Sequence, residues 1–320
     1  MARWFKRLVA TSAAVAAVSV LSGATAAQAA FPERPVRLVV MYSPGGASDV
    51  VARILAQHME AALGQSVVVQ NVAGGGGAVG WQQAKDARPD GYTLTLFVDS
   101  LPVMEATKAI DFTQDDFEPI VVWGDMSLTV FTRADGPYQS LEDLKAAAAE
   151  RPGQVGLAIG YGTPSQFVGK IVADSLGVDL NLVNVGGGAE KKTAVLGGHV
   201  DAGIEPIPGM AEPYRAGQFD ILAVLAEERL ESFPDIPTAR EQGADAVAFN
   251  TYGLLAPKGT PEDRLEVIEQ AVAKVAADPE FIEANRRVNF DVKFMPRDET
   301  RDYIERVRER MLGIGRSLGF

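Results

Sequence analysis

The sequence predicts an α/β protein built as two domains. Short apolar runs that fit buried strands alternate with amphipathic helical segments along almost the whole chain, the pattern of parallel sheets covered by helices on both faces. About ten strands are expected, too many for one compact small sheet, so two α/β domains are the economical arrangement. The 320 residues, 47% hydrophobic and 22% charged, suffice for two cores and exclude a disordered or low-complexity chain.

The N-terminus reads as an address. Arg3, Lys6 and Arg7 precede an uncharged Ala/Val-rich run over residues 8–21, and Ala27-Gln28-Ala29 has the form of a cleavage site. That order predicts a secretory signal peptide over residues 1–29; the run is too short and too rich in Ala and Ser for a membrane anchor. Without it, 27 basic residues face 42 acidic ones, a charge of −15. An acidic chain without a Lys/Arg cluster excludes nucleic acid as a partner. The absence of cysteine excludes a disulfide scaffold, a thiol nucleophile and a lipid-modified N-terminal Cys. The expectation is a soluble periplasmic monomer.

The elements then follow in order. Residues 36–41 are an apolar run with a single Arg, as in a strand buried on both faces. A helix is expected over 47–63, with Val51, Ile54, Leu55 and Ala62 on one face and Gly64 as its C-terminal cap. Strand 66–70, a short helix at 79–85, an Asp90-Gly91 turn and strand 92–98 come next, then strands at 120–123 and 128–132. Ser140 and Asp143 have capping-box spacing ahead of a helix through 149. Strand 155–159, helix 165–176, strand 180–185, a helix ending at Leu196, strand 200–204, helix 209–216 and strand 221–225 continue the rhythm. Residues 247–255 are extended, Thr260-Pro261 opens a helix to about residue 277, and 298–317 is a helix with charges paired at helical spacing.

Ligands of such sheets sit beyond the carboxyl ends of the strands. Loops 43–49, 71–80, 160–165 and 186–188 have that position and are rich in Gly or hydroxyls. Glycine lets backbone amides approach a ligand closely, and the first amides of the next helix lack internal partners and carry partial positive charge. Such loops bind anions without Lys or Arg. Several converging donors are needed for micromolar affinity, and four loops on one side of the sheets could supply them.

Enzyme chemistry finds little support. The three-Gly dinucleotide spacing, the phosphate loop and the Gly-x-Ser-x-Gly elbow are all missing. The two histidines read as structural: His58 as a helix-surface residue and His199 as a hydrogen-bonding strand start. There is no paired-His metal motif, and Asp111, Asp115, Asp116 and Glu118 read as a solvated acidic loop. Trp81 and Trp123 read as core or cleft wall, and no cofactor is expected.

An ordered series of segments then resembles one family. It comprises Phe31-Pro32-Glu33-Arg34-Pro35, Gly45-Gly46-Ala47-Ser48-Asp49, Leu63-Gly64-Gln65, Arg88-Pro89-Asp90-Gly91-Tyr92, Gly160-Tyr161-Gly162-Thr163-Pro164-Ser165, Leu196-Gly197-Gly198-His199-Val200-Asp201, Phe233-Pro234-Asp235-Ile236-Pro237-Thr238 and Leu255-Ala256-Pro257-Lys258-Gly259-Thr260-Pro261. From Phe31 onward the chain resembles the Bug-type extracytoplasmic receptors of tripartite tricarboxylate transporters. The resemblance implies a two-lobed, periplasmic-binding-protein-like (type II) fold, each lobe a mostly parallel sheet flanked by helices, with the ligand cleft between lobes. It implies lobe I at 30–130 plus 256–320 and lobe II at 131–255. It implies a small organic carboxylate as ligand (a di- or tricarboxylate or an aromatic acid), delivery to membrane transporter subunits, and no catalysis. Carried over by residue, it points to Tyr42, Ser43, Gly45, Gly46, Ala47 and Ser48, with Asn71 and Gly76 nearby, and across the cleft to Tyr161, Thr163, Pro164, Ser165 and Gln166. Gly187 belongs with them through its Gly-rich loop.

The departures bear on the ligand. Tyr42-Ser43-Pro44 stands where many relatives have Phe-Ala-Ala, and Gln166 where many have His. Tyr161 is bulky where small residues are common, and Val185-Gly186-Gly187 replaces a Tyr-Lys-Gly segment, removing that Lys. Glu205, just after a strand, reads either as a rim carboxylate in water or as a cleft group. If buried, it would repel a carboxylate and favour an ammonium-bearing ligand or its own protonated state. The alternatives are a secreted α/β hydrolase using Ser165 or Ser43 and a receptor that presents its ligand to a membrane sensor kinase.

Overall fold

A computed structural model describes residues 31–320; the signal peptide expected over 1–29 lies outside the described residues. The first half runs β1 (Val36–Val40), α1 (Ala47–Leu63), β2 (Val67–Asn71), α2 (Ala78–Lys85), β3 (Thr93–Phe97) and α3 (Ser100–Ala106). A long strand, β4 (Phe117–Arg133), leads into the second half: α4 (Leu141–Glu150), β5 (Gly156–Ile159), α5 (Pro164–Leu176), β6 (Asn181–Asn184), α6 (Gly188–Leu196), β7 (Ala202–Pro206), α7 (Ile207–Arg215) and β8 (Phe219–Val224). The chain returns along β9 (Phe249–Pro257) to α8 (Glu262–Ala276), α9 (Pro279–Arg286), β10 (Asp291–Met295) and α10 (Arg297–Ser317).

Apolar periodicity accounts for most of these elements. In α1, Val51, Leu55 and Met59 recur at four-residue spacing and are buried, and the helix stops where Gly64 turns left-handed (φ 67°) and donates its N–H to the Glu60 carbonyl. The outer strands pair in parallel, β2–β1–β3 in one half and β6–β5–β7 in the other. Antiparallel pairing enters only through β4 and β9, which connect the halves.

The sequence predicts strands at 120–123 and 128–132 where β4 runs unbroken. The pairing with β9 instead shifts register between Val122 and Gly124 and continues. Gly124 is required there sterically: a Cβ would collide with the Phe290 ring and the Asp291 carbonyl. Residues Phe117–Ser127 of β4 pair with β9, while Leu128–Arg133 pair with β7 and β8. The exchange between sheets therefore falls at 127/128 and 248/249, against the expected 130/131 and 255/256. All of β9 pairs in the first half, so residues 249–255, expected in lobe II, sit on the sheet of lobe I. Nothing punctuates the sequence there, because the connecting strands run through without a turn. Three short elements, α3, α9 and β10, were not foreseen. Pro102 obscures α3, and β10 is a five-residue strand, largely exposed, whose alternation is too short to stand out.

Each half has its own core. Trp81, Phe97, Trp123, Phe281 and Phe290 are buried in the first, and Trp81 Nε1 donates to the Leu96 carbonyl at 2.9 Å. Leu144, Leu157, Val172 and Leu222 anchor one cluster of the second half, and Phe131, Met210 and Phe219 another. A small fourth cluster crosses between halves, joining Val103 and Ala106 of α3 to Phe167 of α5 and Met311 of α10.

Candidate functional site

The loops that follow β1, β2, β3, β5 and β6, with the end of β7, converge on a cleft of about 680 Å³ between the halves. The first half contributes Tyr42, Gly46, Ala47, Ser48, Gly75, Gly76, Val98, Ser100, Val103, Met104, Asn250 and Tyr252. The second contributes Tyr161 to Ser165, Gly186 to Gly188, Lys191, Ile204, Glu205 and Pro206.

On the first side the loop after β1 is braced from behind. Asp49, nearly buried, accepts from Gly45 N–H at 2.8 Å and from Arg53 Nε at 3.0 Å, and Asn71 Nδ2 donates to its other oxygen at 2.9 Å. Burial pushes the Asp49 carboxyl up, but the bonds from Arg53, Gly45 and Asn71 outweigh it and hold the group below the usual carboxylate range. Asn71 Nδ2 also donates to the Tyr42 carbonyl at 3.0 Å. With the loop pinned, Gly46, Ala47 and Ser48 present backbone N–H groups that have no partner among the described residues. Hydroxyls surround them. Tyr42 Oη lies 2.5 Å from Ser100 Oγ, and Ser48 Oγ lies 3.2 Å from Tyr252 Oη. Burial raises both phenol pKa values, so both stay neutral and able to donate.

On the second side the 160–165 loop consumes most of its own amides. Gly160 N–H donates to Ser165 Oγ (2.9 Å), Tyr161 N–H to Asn184 Oδ1 (3.0 Å) and Gly162 N–H to Gln166 Oε1 (2.8 Å). Thr163 Oγ1 donates to the Gly160 carbonyl at 2.7 Å. The Ser165 amide is left without a partner among the described residues, at the start of a thirteen-residue helix with no acidic residue in its first turn. Below it, Lys191 of α6 reaches Glu205 Oε2 at 2.7 Å and the Ile204 carbonyl at 2.6 Å.

Eleven of the fifteen residues singled out from the sequence thus line the cleft: Tyr42, Gly46, Ala47, Ser48, Gly76, Tyr161, Thr163, Pro164, Ser165, Gly187 and Glu205. Four do not. Ser43 is exposed outside the cleft; the Gly45 amide is held by Asp49; Asn71 is spent on Asp49 and Tyr42; and Gln166, 7% exposed, is spent on Gly162. Gly45, Asn71 and Gln166 have these groups answered by other residues of the protein and so shape the loops, while Ser43 faces water. Glu205 does face the cleft, but its partner Lys191 offsets its charge, which removes the reason to expect an ammonium ligand. Sequence reasoning missed Lys191, Ser100 and Tyr252. Lys191 carried a usable signal, since it lies four residues after Gly187, the N-cap of α6, one turn into that helix. Tyr252 carried none, because it meets Ser48 across 204 residues of chain.

Other features foreseen as structural take varied places. His58 is half-buried rather than on the surface, 3.4 Å from Asp278 and edge-on to Phe281. His199 is exposed, with no side-chain hydrogen bond among the described residues, and Trp81 and Trp123 are core. No cluster of metal-ligating side chains and no helix long and apolar enough to cross a membrane occurs among the described residues.

Comparison with known proteins agrees with this geometry. The model of the tripartite tricarboxylate transporter family receptor matches residues 51–319. BugT of Bordetella pertussis is 31% identical over 295 residues, covering 90% of this chain and 90% of its own. A TctC solute-binding protein from Polaromonas superposes with a TM-score of 0.77 at 28% identity, covering 89% of this chain and 99% of that one. MatC from Rhodopseudomonas palustris, solved with bound malate, gives 0.72 at 25% identity, covering 89% and 99%. These relatives are solute-binding receptors, not enzymes, which sets aside the hydrolase reading of Ser165 and Ser43. The two-lobed α/β architecture, the cleft and these matches together identify the chain as a member of the tripartite tricarboxylate transporter receptor family.

Proposed function

We propose that this protein is a periplasmic receptor, acting as a monomer, that closes on a small organic carboxylate and delivers it to the membrane subunits of a tripartite transporter. The carrying observation is the pair of unsatisfied amide sets, Gly46 to Ser48 at the start of α1 and Ser165 at the start of α5, on opposite sides of one cleft. Both aim partial positive charge at the enclosed space. Among the described residues, the only charged ones lining that space, Lys191 and Glu205, are paired with each other, so the net attraction for an anion comes from the backbone and the hydroxyls. Val98, Val103, Met104, Leu128 and Ile204 supply apolar walls for the carbon skeleton. The malate bound to MatC accords with a carboxylate ligand here. Calorimetry against mono-, di- and tricarboxylates, aromatic acids included, tests the proposal. At least one should bind at about micromolar Kd, and a flat response across the panel would refute it.

A further inference from the structure

We propose that the Lys191–Glu205 pair reads a hydroxyl on the ligand, so that the receptor prefers a hydroxycarboxylate to the matching deoxy and amino acids. The inference rests on the carboxylate-receptor reading and narrows it.

The pair is placed to touch a ligand. Both residues line the cleft; Lys191 is 5% exposed, and the Glu205 side chain retains 17% of its accessibility. The Lys191 ammonium has three N–H donors. Two are spent, on the Ile204 carbonyl and on Glu205 Oε2, and the third has no partner among the described residues. Glu205 Oε1 likewise receives no hydrogen bond among the described residues. The carboxylate is held against the backbone of α6, where a Cβ on Gly188 would overlap it, and against α7, where a Cβ on Gly209 would stand 3.2 Å from its Cγ. The floor of the second half therefore presents one fixed acceptor beside one spare donor.

Stability does not explain such a pair. Removing two charges from water costs several kcal/mol per ion, and apolar residues of similar size commonly serve as well or better. Its neighbours in the cleft, Leu128 and Ile204, show that apolar side chains occupy this wall. What the pair adds is chemistry. A ligand hydroxyl donates to Glu205 Oε1 and accepts from Lys191 at once. A methylene leaves both groups unanswered. An ammonium can only donate, and it faces the Lys191 charge. A second carboxylate can only accept, and it faces Glu205.

The test is calorimetry on matched trios: malate, succinate and aspartate; lactate, propanoate and alanine; mandelate, phenylacetate and phenylglycine. In whichever trio binds, the hydroxy acid should bind at least about tenfold more tightly than its two counterparts. The double variant Lys191→Met/Glu205→Leu, which removes both charges together and leaves neither stranded, should bind hydroxy and deoxy acids within about twofold. If the unmodified protein binds the deoxy or amino acid as tightly as the hydroxy acid, or if the double variant keeps the preference, this inference fails and the carboxylate reading stands. If no carboxylate binds, both fail. Should the double variant not fold, the trio comparison on the unmodified protein still decides.

Discussion

Asn71 Nδ2 donates to Asp49 Oδ1 at 2.9 Å, tying the end of β2 to the first turn of α1. The same carboxylate holds the Gly45 amide through its other oxygen, so one buried group sets the loop that presents the Gly46–Ser48 amides. Asn71→Ala should leave the protein folded and weaken carboxylate binding roughly tenfold, the scale of one or two lost hydrogen bonds. Calorimetry beside a circular-dichroism melt checks this; unchanged affinity would show that the brace does not shape the site. Because the folded-state pKa of Asp49 is depressed, the stability it contributes is complete above the ordinary Asp range and is lost as pH falls through the depressed value.

Asp99 should act in the opposite sense. It is 7% exposed beside the connecting strands and accepts the Thr251 N–H at 2.5 Å. Burial, with repulsion from Asp125, pushes its carboxyl up to about 7 despite that bond. Between about pH 4 and pH 7 the unfolded chain has released this proton while the folded protein retains it. Stability should therefore fall as pH rises through that window and level off above it. Asp99→Asn removes the term, so its melting temperature should gain on the unmodified protein as pH rises from 4 to 7. A constant difference across that range would contradict the assignment.

Ser165→Ala should weaken binding by about 1 kcal/mol, roughly fivefold. The hydroxyl accepts the Gly160 N–H at 2.9 Å and stands 2.9 Å from Thr163 Oγ1, so its loss leaves a loop amide unpaired at the cleft mouth. Titration of the variant with the carboxylate that the unmodified protein binds best measures the loss. No change would take Ser165 out of the site.

Phe320→Ala should loosen the two halves. Following α10, Phe320 stacks on Phe167 of α5 at 6.2 Å between centroids and meets Tyr161 of the cleft loop at 5.3 Å. Aromatic pairs of this kind contribute about 0.5–1.5 kcal/mol each beyond their burial. Without them the halves should separate more readily, seen as a larger radius of gyration by small-angle scattering and a weaker carboxylate affinity. Identical scattering curves would argue against a tie between halves at this point.

The long, periodic elements were legible because burial of one face imposes a pattern. The helix at 47–63 and the strands beginning at 36 and 67 emerge nearly to the residue. The loops were legible too, since glycines and hydroxyls gather where strands end: Gly46 to Ser48 and Tyr161 to Ser165 all reached the cleft. What failed was the fate of individual polar groups. Asn71, Gln166 and Gly45 resemble ligand contacts in type and place, yet each is answered by a neighbour four or more residues away, and sequence does not rank a loop partner above a ligand.

The residues alone therefore determined the fold class, the likeness to a receptor family and the loops that line the cleft, because period, punctuation and ordered motifs are local properties of a chain. Only the tertiary structure decided that β4 runs unbroken through both sheets, that Tyr252 reaches Ser48, and that Glu205 enters the cleft with Lys191 beside it. The reason is physical. Burial and charge compensation depend on which atoms meet across hundreds of residues, and packing makes that choice.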